Sequence, residues 1–385
     1  MDGPRILKKE EFKSLLKLLD TVFPHCAPYS KNDTACFTGR EQELNQHIVY
    51  EDGGEIISHM GLFTREILVG KALIKVGGVG SVATYEKYRG QGFMNKMFEK
   101  AFEIMNKEGF DLSVLGGDRK RYNTFGYEEG GRRLAFLVSD RFVKGMKFSG
   151  LTLKKYSGEA ADLKTLLDIH SKEYFKSKHD MYFYEKLFAQ KTKETFFAVR
   201  DGKIISYLMF MREGKDKDIL GWVYEYGGEA LGFKYILQQV FASEGVKSMN
   251  IVAPIVEHSL TEALFEVSNN WYTENNRIIK IIDLKSLLFK FTAHMELARK
   301  RSGAESKGRV TLDMGGKQQV TLDIGASVKA VEGPAVNTLT LTDLQMVRLL
   351  FGLTRPSEAF KLKKEQLILD TVFPLDCFMW LTDSV

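Results

Sequence analysis

A short turn with two glycines, Arg89-Gly90-Gln91-Gly92, joins a strand-like apolar run to an amphipathic helix. Glycine lets the backbone bend without a Cβ clash, so the amide N–H groups of such a turn can point outward. The start of a helix adds partial positive charge, and Arg89 adds a full charge with a forked donor. The pattern predicts a site for an anion, most often a phosphate. The alternative is a plain connector between a strand and a helix.

The turn lacks the Gly-Lys-Ser/Thr ending of a Walker loop and the third glycine of the dinucleotide fingerprint. The elements that must position it are clear in the sequence. Residues 79–85 read as a strand, which follows two long strands at 57–68 and 71–76. The next helix ends at Gly109, as a left-handed cap predicts. Its apolar face repeats at helical spacing through Phe93, Met94, Met97, Phe98, Ala101, Phe102 and Met105.

The chain contains a short internal sequence repeat. The sequence DGGEIIS at residues 52–58 resembles DGKIIS at 201–206, and each copy is preceded by a strand-like run. Asp-Gly between two such runs is typical of a hairpin. Each copy continues with another strand, a glycine turn and a helix, so we expect two copies of one α+β unit at 1–148 and 149–280. The second copy has its turn at Gly227-Gly228 and no Arg-x-x-Gly, so we expect it to bind no anion and to serve as packing surface.

The last third, 281–385, is predicted to be a third α+β domain. Residues 309–331 alternate apolar and polar side chains around Gly315-Gly316, which favours a hairpin. Thr342 and Gln345 form a capping-box pattern at the start of a helix predicted to end at Phe351. A further helix is expected at 363–369, and the apolar residues at 378–381 predict a tail that packs against the body.

Composition excludes several classes of protein. Of 385 residues, 44% are hydrophobic and 27% charged, which is ordinary globular usage and excludes a disordered or fibrous chain. The net charge of +5 forms no basic stripe, so a nucleic-acid partner is not expected. Three cysteines without CxxC spacing and seven scattered histidines give no support for a metal site. With no signal peptide and no apolar run of about 20 residues, we expect a cytoplasmic protein that does not span a membrane.

Several motifs taken together resemble the GNAT superfamily of N-acetyltransferases. They are Val82-Ala83-Thr84, the Arg89 to Gly92 turn with its helix, Gly117-Asp118, and the block from Arg121 to Tyr127. The larger layout is similar to the enhanced intracellular survival (Eis-like) acetyltransferases. These proteins have a catalytic GNAT domain, a degenerate second one and a sterol-carrier-like C-terminal domain. The resemblance implies acetyl-CoA as cosubstrate and a homo-oligomer.

The resemblance also implies roles for individual residues. Val82 and Thr84 would offer backbone hydrogen bonds to the pantetheine arm, with Ala83 between them and Gly117-Asp118 nearby. The turn would hold the pyrophosphate, and Met94 stands where the family usually has glycine or alanine. The residues assigned to this cradle are Arg89, Gly90, Gln91, Gly92, Phe93 and Met94.

Two proton-transfer roles follow from the same resemblance. Tyr122 would act as general acid and protonate the departing CoA thiolate, although a phenol in this block can also simply pack in the core. The α-carboxylate of the last residue, Val385, would be the base, and it is ionised at neutral pH because such groups have a pKa near ~3.5. The family more often ends in an aromatic residue. Asp383 is an alternative acid, and a solvated tail without a catalytic role is the other reading.

The sequence thus predicts an acetyl-CoA-dependent N-acetyltransferase that passes the acetyl group directly to a primary amine. The acceptor would be polyamine-like, aminoglycoside-like or lysine-like, and the sequence does not choose among them. The rival hypothesis is a non-catalytic protein that binds CoA or a lipid, because the third domain resembles lipid carriers.

Overall fold

A computed structural model describes residues 1–32, 35–214, 219–243 and 245–384. The strands are β1 (Asp2–Ile6), β2 (His47–Asp52), β3 (Glu55–Val69), β4 (Ala72–Thr84), β5 (Leu112–Leu115), β6 (Glu128–Ser139), β7 (Leu151–Lys155), β8 (Phe175–Lys178), β9 (Lys193–Arg200), β10 (Lys203–Glu213), β11 (Ile219–Gly228), β12 (Val246–Pro254), β13 (Ser268–Ile281), β14 (Gly308–Met314), β15 (Gln318–Ile324), β16 (Val328–Val331) and β17 (Leu339–Leu341). The helices are α1 (Phe12–Val22), α2 (Tyr29–Asn32), α3 (Phe93–Lys107), α4 (Arg119–Asn123), α5 (Asp140–Val143), α6 (Ala160–His170), α7 (Met181–Phe188), α8 (Ala230–Ser243), α9 (Ser259–Val267), α10 (Leu284–Lys290), α11 (Thr292–Ser302), α12 (Asp343–Phe351) and α13 (Pro356–Ala359).

Most strands join one large sheet in the order β1-β2-β3-β4-β5-β13-β6-β12-β11-β10-β9-β7, with β8 paired to β3. The predicted repeat appears here as two similar halves. In each half an antiparallel hairpin (β3–β4 or β10–β11) is followed by a parallel pair (β4–β5 or β11–β12). The connection in each parallel pair is a helix, α3 or α8, as a crossover between parallel strands requires.

The two halves interleave at the centre of the sheet. β13 lies between β5 and β6, and β6 in turn pairs with β12. Strands from both predicted units therefore alternate in space, although each unit is continuous in sequence. The boundaries at 148/149 and 280/281 stay a prediction about the chain, and the sheet itself runs across the first of them without a break.

Helix α3 confirms the clearest pattern in the sequence. Its buried residues are Phe93, Met97, Phe98, Ala101 and Met105, and Gly109 has a φ of 68° after its C-terminus. The predicted strands at 71–76 and 79–85 are wrong as separate elements, since one strand, β4, covers both. Gly77 does not mark a turn. A Cβ there would lie 2.7 Å from Met105 Sδ, so the glycine allows α3 to pack closely on the strand.

The last third forms its own sheet, β16-β15-β14-β17, packed against helices. The predicted hairpin is β14–β15, and the capping box at Thr342 and Gln345 starts α12 as expected. The predicted helix at 363–369 is instead a 3-10 segment, Lys364–Thr371. In the described part of the chain, no helix combines the length and the apolar character needed to cross a bilayer.

Candidate functional site

The end of β4 borders an open slot. β4 pairs with β5 only from Val76 to Val79, opposite Leu112 to Leu115, and β5 stops there while β4 continues to Thr84. The two parallel strands therefore separate beyond Val79. On this side, the backbone groups of the last β4 residues pair with no strand of the described residues.

A bulge at Ser81 sets the course of β4 along this slot. Ser81 has a φ of 50°, which is uncommon for a residue other than glycine, and the pairing with β3 shifts at the same place. His59 Nδ1 lies 2.9 Å from the Ser81 carbonyl oxygen. Because a carbonyl only accepts, Nδ1 is the donor, and Nε2 is left to accept from His47 Nδ1 at 3.1 Å. This buried histidine pair holds the bulge.

The backbone of Thr84 faces the slot. The Tyr85 N–H donates to the Ile57 carbonyl of β3 at 3.1 Å, and in an antiparallel pair the neighbouring residue turns its N–H and C=O the other way. Arg89 Nε lies 3.4 Å from the Thr84 carbonyl oxygen on that side. By the same alternation, the backbone N–H and C=O of Val82 also face the slot. The side chain of Ala83, which lies between Val82 and Thr84 in the chain, is buried in the core around α1.

The glycine turn is open to its surroundings. Gly90 and Gly92 have φ values of 79° and 77°, and a Cβ built on either one meets nothing within 4 Å. Among the backbone hydrogen bonds of the described residues, none uses the amide of Gly90, Gln91 or Gly92 as donor. These amides precede a helix of 15 residues, α3. The turn therefore presents unused donors at the positive end of a helix, which is what an anion requires.

Tyr122 closes the inner end of the same space. It lies on α4, it is 8% exposed, and its ring packs against Phe98 and Tyr127. Gly117 makes room for it, since a Cβ there would lie 3.0 Å from the Tyr122 ring. Burial raises the pKa of the Tyr122 phenol above its usual value of 10.0, although Arg121 opposes this shift. The phenol therefore carries its proton at neutral pH and can donate it.

A cleft of about 620 Å³ joins these features. It brings together eight of the predicted cofactor residues with Tyr122. These are Val82, Thr84, Arg89, Gly90, Gln91, Gly92, Phe93 and Met94.

Three predicted residues do not line the cleft. Ala83 points into the core, Gly117 supports Tyr122, and Asp118 caps α4 by accepting from the Lys120 N–H at 2.8 Å. Sequence reasoning also missed Val22 and Phe23, which line the cleft from the end of α1. No motif marks them, because the packing of α1 on β3 and β4 alone brings them there.

The C-terminal tail is anchored inside the protein, as the apolar pattern predicted. Phe378, Met379 and Trp380 are at most 3% exposed. The predicted base Val385 lies outside the described residues. Its neighbour Ser384 accepts from Arg277 Nη2 at 2.8 Å. The residue after Arg277, Ile278, pairs with Leu115 at the end of β5, where the slot begins.

Asp383, the alternative acid, has a partner of its own. Its Oδ1 lies 3.0 Å from His179 Nε2. Burial of Asp383 favours its neutral form, but the hydrogen bond and charge of His179 outweigh this and hold the pKa of Asp383 below its usual value of 3.8. Asp383 is therefore a weak base.

A second cavity of about 560 Å³ lies where three parts of the chain meet. His25 and Tyr29 line it from the segment after α1, Phe183 and Tyr224 from the second half, and Thr382 from the tail. The two cavities are linked along the chain, because Val22 and Phe23 of the cleft lead directly to His25. Within the described residues, no three His, Cys, Asp or Glu side chains converge as metal ligands do.

Comparison with known proteins gives the class of the first domain. Residues 4–130 match the family model described as acetyltransferase (GNAT) domain. This match spans the glycine turn, the slot and Tyr122. No curated protein sequence matches the chain.

Solved structures with the same fold cover nearly the whole chain. A protein from Enterococcus faecalis V583, described as a "Probable N-Acyltransferase", has a TM-score of 0.71 at 14% identity, over 97% of this chain and 96% of its own. A GCN5-related N-acetyltransferase from Anabaena variabilis has a TM-score of 0.69 at 13% identity, over 98% of each chain. Eis1 from Mycobacterium abscessus has a TM-score of 0.63 at 9% identity, over 99% and 98%.

The prediction of an acetyltransferase enzyme with a mixed α+β, GNAT-type fold is therefore confirmed. The GNAT fold family uses acetyl-CoA, which suits the open turn and slot. Eis-like specificity and a sterol-carrier-like last domain stay predictions.

Proposed function

We propose that the protein transfers an acetyl group from acetyl-CoA directly to a primary amine. One observation carries this proposal: a single cleft unites unused amides at a helix start, the end of β4 beyond its pairing with β5, and a buried phenol. The turn from Arg89 to Met94 would hold the pyrophosphate. The backbone of Val82 and Thr84 would bind the pantetheine amides in the slot.

The chemistry needs two proton transfers. The amine nitrogen attacks the thioester carbonyl, the new C–N bond forms, and the C–S bond breaks. Tyr122 would protonate the departing thiolate, because its phenol still carries a proton at neutral pH. The α-carboxylate of Val385 would take the proton of the amine. Asp383 is a poorer candidate, since its carboxylate is bound to His179.

The acceptor would occupy the second cavity. The chain leads to it from the cleft, since Val22 and Phe23 line the cleft and His25 lines this cavity, and the tail that leads to Val385 lines it as well. Its walls include the Tyr29, Phe183 and Tyr224 rings and the carboxylate of Glu213. Lys193 also lines this cavity, and its Nζ lies 4.6 Å from the centre of the Tyr224 ring. Aromatic faces and a carboxylate attract organic cations, so the Tyr29 and Phe183 rings and Glu213 would serve a polyamine-like, aminoglycoside-like or lysine-like amine. We place the protein in the cytoplasm, where acetyl-CoA is available, and infer a homo-oligomer by resemblance.

The decisive experiment measures free thiol released from acetyl-CoA with a panel of polyamines, aminoglycosides and lysine peptides, with the acetylated product identified by mass spectrometry. For Tyr122→Phe we expect kcat to fall about 100-fold or more, because the acid is lost, while calorimetry with coenzyme A shows nearly unchanged affinity. The matched control is Tyr127→Phe. Its hydroxyl contacts Ser113 at 2.7 Å in the core, so this change should lower stability and leave kcat nearly intact.

Equal rates for Tyr122→Phe and the wild-type protein would remove Tyr122 as the acid. No heat with coenzyme A and no thiol release with any amine would favour the rival hypothesis, a non-catalytic lipid-binding protein. Deletion of Val385 in the same assay tests the base, because the new terminal carboxylate would lie one residue away from its position.

A further inference from the structure

Specific hydrogen bonds to side chains and backbone elsewhere in the fold hold the last nine described residues. Chain ends normally fray unless something ties them down. Here the tail begins with Asp376, which accepts from Arg132 at 2.5 Å. The Asn276 side chain then receives the Met379 N–H at 2.9 Å, and the Trp380 indole N–H donates to the Phe175 carbonyl at 3.0 Å.

The final three of these residues are bound by polar or charged side chains from elsewhere in the fold. The Thr382 hydroxyl donates to Glu225 Oε2 at 2.6 Å, and Asp383 pairs with His179 at 3.0 Å. Arg277 donates to the Trp380 carbonyl at 2.9 Å and to the Ser384 hydroxyl at 2.8 Å. Glu225 lies on β11, His179 follows β8, and Arg277 lies on β13, so all three belong to the second predicted unit, 149–280. The second half therefore does more than present an apolar packing surface.

Glu225 is a costly way to hold a tail if stability were the only purpose. Its side chain is 1% exposed, at 3.2 Å from His170 and 2.7 Å from the Tyr207 hydroxyl. Burying such a pair often stabilises a protein no more than apolar residues of the same size would. A charged partner also fixes the orientation of the tail, because the Thr382 hydroxyl must point at the Glu225 carboxylate to donate its hydrogen bond.

The place of these contacts links them to the cleft. Arg277 immediately precedes Ile278, which pairs with Leu115 at the point where β4 and β5 separate. Glu225 stands just after a bulge in β11, opposite Met209 of β10. The tail thus runs between β13 and β11, and its last described residue, Ser384, lines the second cavity together with Leu381 and Thr382.

We propose that Glu225, His179 and Arg277 are positioning residues that fix the end of the chain for acetyl transfer. They act through Thr382, Asp383 and Ser384 and touch no reacting atom themselves. This inference rests on the proposed function, since a position matters only if the terminal carboxylate takes part in the reaction. The second half of the sheet then serves as the receptor for the tail that completes the site of the first half.

The test compares Thr382→Val, which keeps the shape and loses the hydroxyl, with Thr382→Ser, which keeps the hydroxyl. Hydrogen exchange of the peptide covering 377–384 reports the anchoring without any reaction. For Thr382→Val we expect exchange about tenfold faster and kcat about tenfold lower, because a hydrogen bond to a charged group is lost. The KM for acetyl-CoA should stay within about twofold, since the glycine turn is untouched. Thr382→Ser should match the wild-type protein in all three measurements.

Thr321→Val with Thr321→Ser is the matched control pair. Thr321 is also a buried threonine, and its hydroxyl contacts Thr311 at 2.8 Å in the last domain. Neither control variant should change kcat or the exchange of the tail.

Two results would overturn the inference alone. One is faster exchange with unchanged kcat, which would mean an anchor without a positioning role. The other is identical exchange and kcat for Thr382→Val and Thr382→Ser. A wild-type protein that acetylates no amine in the panel would overturn the proposed function and the positioning role with it, while the exchange data would still separate anchored from free tails.

Discussion

The two glycine turns of this protein look alike in sequence and differ in what surrounds them. In the first, Gly90 and Gly92 face open space, and the amides there have no acceptor among the described residues. In the second, a Cβ on Gly228 would lie 2.7 Å from Ser206 Cα, and the Glu229 N–H already donates to the Ile205 carbonyl at 2.9 Å. One turn leaves room for a ligand and the other is filled by its own strand.

The difference shows two uses of the same residue. At the first turn glycine supplies positive φ and exposed donors, whereas at the second Gly228, the last residue of β11, allows the backbone of β10 to approach closely. The slot differs as well. In the second half, the Tyr226 hydroxyl reaches across to the Val252 carbonyl of β12 at 3.1 Å, so protein atoms bridge the space between β11 and β12. A strand, two glycines and a helix therefore form an anion site only where no other protein atoms fill the turn and the space beside the strand.

The largest expected effect is a difference in stability between alanine substitutions in the two turns. Gly228→Ala forces a Cβ into the backbone of β10, so we expect the free energy of unfolding to fall by about 3 kcal/mol or more. The Cβ of Gly92→Ala would contact no other atom, so the free energy of unfolding should fall only by the cost of positive φ, about 1 kcal/mol. Urea unfolding of both variants measures the difference. Similar losses for the two variants would contradict the assignment of one open and one filled turn.

The next effect separates them by ligand binding. Arg89→Ala removes the cation beside the open turn, so we expect the Kd for coenzyme A to rise about tenfold. The counterpart in the second turn is Glu229→Ala, which breaks an exposed pair with Arg200 at 2.9 Å and should leave the Kd unchanged. Calorimetry with coenzyme A decides, and a weaker affinity for the Glu229 variant would move the site to the second half.

The smallest expected effect is on the pH dependence of stability. It arises from buried histidines, and the pKa shifts of His59 and His170, one in each half, have opposite directions. In the first half, burial lowers the pKa of His59 to about 4, and burial with the nearby His59 lowers the pKa of His47 well below 6.5. In the second half, burial alone would lower the pKa of His170, but the Glu225 carboxylate raises it above 6.5. One half thus buries a neutral pair and the other a charged pair.

The sign of the pH dependence follows from these shifts. Between pH 6.5 and 4, His59 is protonated in the unfolded chain and neutral in the folded protein. The free energy of unfolding therefore falls as the pH falls. His59→Asn removes this term, and we expect the loss of unfolding free energy on acidification to shrink by about 1 kcal/mol per pH unit. Urea unfolding at several pH values tests this, with the exposed His25→Asn as control. An unchanged slope would show that His59 is not held neutral.

Local patterns in the sequence predicted the parts of the site that depend on neighbouring residues. The apolar spacing from Phe93 to Met105 gave α3, and two glycines before it gave the turn. Tyr122 could be named only through resemblance, because nothing in its local spacing distinguishes a phenol in a cleft from one in the core. Val22 and Phe23 could not be found at all, since they reach the cleft by tertiary packing.

The placement of β13 shows the same limit on the scale of the fold. Residues 268–275 carry exposed Trp271 and Tyr272 and no clean alternation, so the sequence gives no sign that this strand enters the centre of the sheet. Its neighbours β5 and β6 are more than 100 residues away in the chain, and pairing at that distance depends on the whole sheet.

By itself the sequence determined the local elements, the glycine turn before α3 and the apolar character of the tail, because these depend on backbone freedom and side-chain spacing within a few residues. Tertiary structure alone decided which turn stays open, which phenol borders a cleft and what holds the chain end. These outcomes depend on atoms brought together from distant segments: Ser206 against Gly228, Phe98 against Tyr122, and Glu225 against Thr382.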